Sequence, residues 1–156
     1  MTLSEAEIAL LERFAVAAGR TPRQAIRFIN IYRIIKSSLT AQLREELNLE
    51  RGGSLKGICL LPQLAIVTGA PRAERAYFAK LRSTDESLNL TDFIKALEKD
   101  PDFSATSQSQ IVLAVLTTLA GIDKKRPDRA VICVGDLLYL APTVRRYSFA
   151  SSESTH

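Results

Sequence analysis

Leu55-Lys56-Gly57-Ile58-Cys59-Leu60-Leu61-Pro62-Gln63-Leu64-Ala65-Ile66-Val67 is an almost unbroken apolar run. A run of this kind is a buried strand or a buried helix, and periodicity does not separate the two. Its leucine and alanine content favours a helix. Pro62 then marks a kink or a late start. With this segment helical, little in the chain is left to build a sheet.

The segments before the run carry helix signals of their own. Ser4-Glu5-Ala6-Glu7 reads as a capping box, with a hydroxyl at the cap and a carboxylate three residues on. Ile8, Leu11, Phe14 and Ala15 follow at helical spacing, and Gly19 closes this first helix. Thr21-Pro22-Arg23-Gln24 opens the next. Thr21 caps it, Pro22 suits the first helical position, and Gln24 can complete the box. This second helix is expected to run to about Leu47, ahead of the Gly52-Gly53 break.

The segments after the run read similarly. Gly69-Ala70-Pro71 is a stop and restart, and Arg72 to Arg82 is helical. Thr91 can cap a short helix through Glu98, which Asp100-Pro101-Asp102 breaks. Ser107 or Ser109 begins an apolar helix ending at Gly121, and residues 123–128 form a charged loop. Val131 to Val134 is the one plausible strand, and Asp136 opens a last helix that carries Pro142. The expectation is an all-α, compact bundle of about seven or eight helices with at most one short strand. Residues 1–50 form one helical segment, 51–149 a helical region packed on it, and 150–156 a disordered tail.

Composition bounds the function. The chain has 156 residues, 46% of them apolar, enough for a core without disulfides or metals. The charge is +4, mildly basic. Cys59 and Cys133 lie far apart without a CxxC, and the only histidine is His156. That excludes a clustered zinc site and leaves no good general base for a Ser-His-Asp or Cys-His site. The cysteines read as apolar core residues in a reducing compartment. The start of the chain lacks a basic leader, and Ile111 to Ile122 is too short to span a bilayer. The reading is a soluble, cytoplasmic protein with no membrane partner.

Residues 13–44 hold seven cations and no acid. Such a run is a solvated face or an anion-binding surface. On the second helix Phe28, Tyr32, Ile35 and Leu39 form an apolar stripe. Arg23, Arg27 and Asn30 fall on the opposite face, with Arg23 in the first turn, where backbone amides favour anions. These three are the candidate phosphate-contacting residues. Arg20, Arg33, Lys36 and the Lys124-Lys125-Arg126 loop are weaker candidates for nucleic acid. Arg72, Arg75, Lys80 and Arg82 form a further basic stretch, against the single acid Glu74. Aromatics are 6% and make no stacking array. Gly52 and Gly57 match the glycines of a Walker A loop, but Ile58 stands where its lysine belongs.

Thr21-Pro22-Arg23-x3-Arg27-Phe28-Ile29-Asn30-x-Tyr32-Arg33-x2-Lys36 resembles the helical lid of KAP-type P-loop ATPases and their bacterial relatives. Looser matches are Leu64 to Pro71, Tyr77-Phe78 and Arg146-Tyr147-Ser148-Phe149. The resemblance implies the C-terminal helical part of such an ATPase. Arg23 would be the sensor-type arginine, with Arg27 and Asn30 beside it. The partner would be a P-loop core, in the same polypeptide or a split subunit. ATP and Mg²⁺ would enter only with that core, so the isolated chain needs no cofactor and is not an enzyme. The alternative is a free-standing helical interaction module that binds protein or nucleic acid through the basic helix.

Overall fold

The structure, a computed structural model, describes residues 2–18, 21–51, 53–125 and 131–147. Among these are nine α-helices and no sheet. They are α1 (Glu5–Ala18), α2 (Pro22–Ser38), α3 (Ala41–Leu47), α4 (Leu60–Gly69), α5 (Glu74–Arg82), α6 (Leu90–Lys99), α7 (Pro101–Ser104), α8 (Ser109–Lys124) and α9 (Val134–Arg145). Short 3-10 turns cover Leu49–Arg51 and Gly57–Cys59. The fold is all-α, as the sequence indicates.

The apolar run is the centre of the bundle. Its first part is the 3-10 turn, and its second is α4, in which every residue is buried. Pro62 sits in the first turn of α4, where its missing N–H costs nothing. A helix apolar on all sides must be covered on all sides, and α1, α2, α8 and α9 pack around α4. Helix α6 lies on α8, and α5 lies on α9. One contiguous core links these elements from Leu10 to Val144.

Gln63 is one of the polar side chains carried into that centre. The Gln63 amide donates to the carbonyls of Cys59, at 3.1 Å, and Leu137, at 2.8 Å. It accepts from the Tyr77 hydroxyl at 3.2 Å. Buried polar atoms need partners, and these bonds tie α4 to α5 and α9. Burial pushes the Tyr77 phenol well above its ordinary range, so it remains a donor.

Several boundaries differ from the sequence reading. The second helix stops at Ser38, because Leu39 turns extended and Thr40 caps α3 by accepting from the Leu43 amide at 3.1 Å. Asn89, not Thr91, caps α6, accepting from the Asp92 amide at 2.9 Å. Asp100 breaks α6 but at once caps α7. Helix α8 passes through Gly121 to Lys124. The expected strand at Val131 to Val134 is one antiparallel bridge, Asn89 to Cys133, leading into α9. The two added breaks explain nine helices where about seven or eight were expected. The Gly19 stop and the tail lie outside the described residues.

The glycine at 57 has a packing role, not a phosphate-cradling one. A Cβ there would sit 2.1 Å from the Leu47 carbonyl oxygen. Gly121 faces open space inside α8. Gly57→Ala is therefore expected to destabilise by about 1–3 kcal/mol or more. Gly121→Ala is expected to stabilise by about 0.8–1 kcal/mol through helix propensity. Urea midpoints of the two variants check this, and equal midpoints would contradict the close approach.

Candidate functional site

Helix α2 starts rigidly. Thr21 accepts from the Gln24 amide at 3.2 Å, and Pro22 follows with its fixed φ. The next residue is Arg23, exposed and without an ion-pair partner among the described residues. No acid lies in this first turn. Phe28, Tyr32, Ile35 and Leu39 are buried, as the apolar stripe requires. That fixes the helix rotation and turns Arg23, Asn30 and Arg33 outward, all exposed. Arg27 is half-buried at the flank, and desolvation lowers its pKa. An arginine so placed remains charged.

The outer face also carries two isoleucines. Ile26 and Ile34 are 60% and 54% exposed. At about 100° per residue they fall among Arg23, Asn30 and Arg33. Periodicity shows them as off-stripe positions, which is the signal that would have found them. The outer face is therefore mixed basic and apolar.

Lys36 does not join the basic face. It is only 1% exposed, and its ammonium lies 2.8 Å from Glu7 and 3.3 Å from Glu50. Its position explains this: Lys36 stands one turn beyond Tyr32 on the core side of α2. Glu7 is buried with it, at the base of α1. Its carboxylate accepts from the Ser4 amide at 3.0 Å and from the Tyr32 hydroxyl. Glu7 therefore closes the expected capping box and also ties α1 to α2. Burial pulls its pKa upward, but the bonds from Lys36, Ser4 and Tyr32 outweigh this and hold it below 4.5. Burial and the adjoining carboxylate push the Tyr32 phenol far upward, so it stays protonated and donating.

The remaining candidates are spread over other elements. Lys124 and Lys125 are exposed at the end of α8, where cations suit the helix dipole. Arg20 and Arg126 lie outside the described residues. Arg44 donates to the Leu39 carbonyl at 3.2 Å, at the C-terminal end of α2. Ile8, expected in the core, is 42% exposed, and Leu10 is buried instead. Of the two cysteines Cys59 is buried, while Cys133 is only half-buried. Among the described residues no group of His, Cys, Asp and Glu is arranged to hold a metal ion. Nor is any helix among them long and apolar enough to cross a membrane. Leu64 to Ala70, Tyr77 and Phe78, matched loosely in sequence to the ATPases, are buried, so packing accounts for them.

No protein-family model, curated protein or solved structure matches the chain significantly.

The Glu7 carboxylate titrates lower in the fold than in the unfolded chain. Its contribution to stability is thus full above the unfolded pKa and is lost as pH falls through the folded one. Wild type is expected to lose stability as pH falls below about 4.5. Glu7→Gln should flatten that part of the acid limb. Lys36→Met should cost about 3–5 kcal/mol near neutral pH, by stranding a buried carboxylate. Adding Glu7→Gln should recover much of the loss. Denaturant titrations across pH measure both effects.

Proposed function

We infer that the chain is a helical accessory module, not catalytic alone, that offers the outer face of α2 to a partner. The mixed chemistry of that face supports this reading. A face of cations alone suits a polyanion such as a phosphate backbone. Cations with two exposed isoleucines suit a protein surface that has an apolar centre and acidic groups around it.

The partner implied by the sequence resemblance is a KAP-type P-loop ATPase core, bacterial and cytoplasmic in setting. In that assembly Ile26 and Ile34 would pack on the core, with Arg27 and Asn30 flanking Arg23. Arg23 would face the nucleotide phosphates, because Pro22 and the Thr21 cap hold its backbone still. A fixed guanidinium stabilises charge developing on a transferred phosphoryl group. ATP and Mg²⁺ would be held by the core. Nucleic-acid binding through Arg20, Arg33, Lys124, Lys125 and Arg126 is the weaker reading, since Lys36 is withdrawn from that set.

The test uses the chain alone and with the ATPase core encoded in the same or a neighbouring reading frame. Alone, it is expected to release no phosphate from Mg-ATP. In the assembly, Arg23→Ala should lower turnover at least about tenfold, with the melting midpoint nearly unmoved, as for an exposed site. Ile26→Asp with Ile34→Asp should weaken the assembly. Phe28→Ala, in the core, should instead cost about 3–5 kcal/mol of stability. Phosphate release that follows the purified chain, or a silent Arg23→Ala in the assembly, would overturn the reading.

A further inference from the structure

Helices α5 and α9 meet along an open groove of about 460 Å³. Its floor is apolar, made by Phe78, Leu138, Ala141 and Pro142. Its rim is made by Arg82, Arg145 and Arg146, and no acid among the described residues lines it. All three arginines are exposed and lack an ion-pair partner among the described residues. The neighbouring cation Lys80 is already committed to Asp100, at 3.2 Å. Arg145 lies over the Phe78 ring at 5.4 Å, which holds its charge beside the apolar floor.

Pro142 adds a feature that side chains alone do not. It lies inside α9 and has no N–H to give to the Leu138 carbonyl one turn earlier. Both residues line the groove. The Leu138 carbonyl thus lacks its usual helical donor in the stretch of α9 that lines the groove.

We propose that this groove binds an acidic peptide segment of a partner protein that carries a large apolar side chain. The apolar side chain covers Phe78, Leu138 and Ala141. Carboxylates on either side of it pair with Arg82, Arg145 and Arg146. A peptide N–H satisfies the Leu138 carbonyl, which a fatty-acid chain or a nucleic-acid backbone does not do. The layout of apolar centre and charged rim is that of a protein interface. Small-molecule pockets differ, because they fix a ligand with a few placed polar groups inside the cavity. This surface is separate from the outer face of α2 and does not depend on the reading of that face.

The experiment is a fluorescence-anisotropy titration with a labelled octapeptide, a leucine–phenylalanine pair flanked by glutamates. The intact chain is expected to bind it, with amide shifts in NMR at Phe78, Leu138 and Ala141. Arg82→Glu with Arg145→Glu should weaken binding at least about tenfold. Arg33→Glu on α2 should leave it unchanged. Replacing the leucine–phenylalanine pair by serines should abolish binding. If the double charge reversal lowers the melting midpoint, Arg82→Gln with Arg145→Gln takes its place, and the same weakening is expected. The proposal is overturned if the intact chain does not bind the peptide, if the serine peptide binds equally, or if the arginine variants bind as wild type. It is equally overturned if phosphatidylserine vesicles or duplex DNA, and not the peptide, are held through these arginines.

Discussion

The buried pairing of Lys36 with Glu7 sets how the outside of this protein is arranged. Lys36 belongs by sequence to a run of cations, yet its charge is spent inside the fold at 2.8 Å from a carboxylate. Tyr32, one turn earlier, donates to the same carboxylate. Two side chains of α2 are thus held by one residue of α1. A buried pair of this kind adds little net stability over apolar side chains of equal size. It does disfavour rotation of α2, since turning the helix would strand a charge in the core. The outward direction of Arg23, Ile26, Asn30, Arg33 and Ile34 follows from that constraint.

The rest of the bundle answers a different demand, the covering of α4. A helix buried at every residue has no solvent face, so its neighbours must come from far apart in the chain. Helices α1, α2, α8 and α9 supply that cover. Small residues allow close approach: a Cβ at Gly69 in α4 would lie 2.9 Å from the Ala18 methyl of α1, and Gly57 in the 3-10 turn abuts the α3 backbone at Leu47. Gln63 then stitches α4 to α5 and α9 through bonds that only a fully assembled core satisfies. The α5–α9 seam fixed in this way carries the arginine-rimmed groove on its surface.

Much of this was legible in the residues. The caps at Ser4 and Thr21 and the stripe Phe28, Tyr32, Ile35 and Leu39 are local patterns, and the structure carries them. The helical state of the central run was legible from composition. The break at Leu39 was not, because no glycine or proline marks it and Thr40, its only signal, is the cap of the next helix. The burial of Lys36 was hidden by its charge, although its place one turn after Tyr32 puts it on the core side. Its partner Glu7 is 29 residues away and already explained as a capping residue. A residue with two roles gives a local signal for only one of them. The α5–α9 groove depends on a tertiary contact between segments some sixty residues apart, which no local pattern encodes.

The geometry describes a helical bundle whose exposed basic and apolar faces are set by its interior. Lys36 is an internal anchor and not part of the basic surface. Acetylation of the native protein with limiting acetic anhydride, read by peptide mass spectrometry, tests it without any substitution. Lys95 and Lys99, exposed on α6, serve as internal standards. Lys36 is expected to react at least about tenfold more slowly than either, since its ammonium is shielded and paired. Reaction of Lys36 at the rate of Lys95 and Lys99 in the folded protein would contradict it.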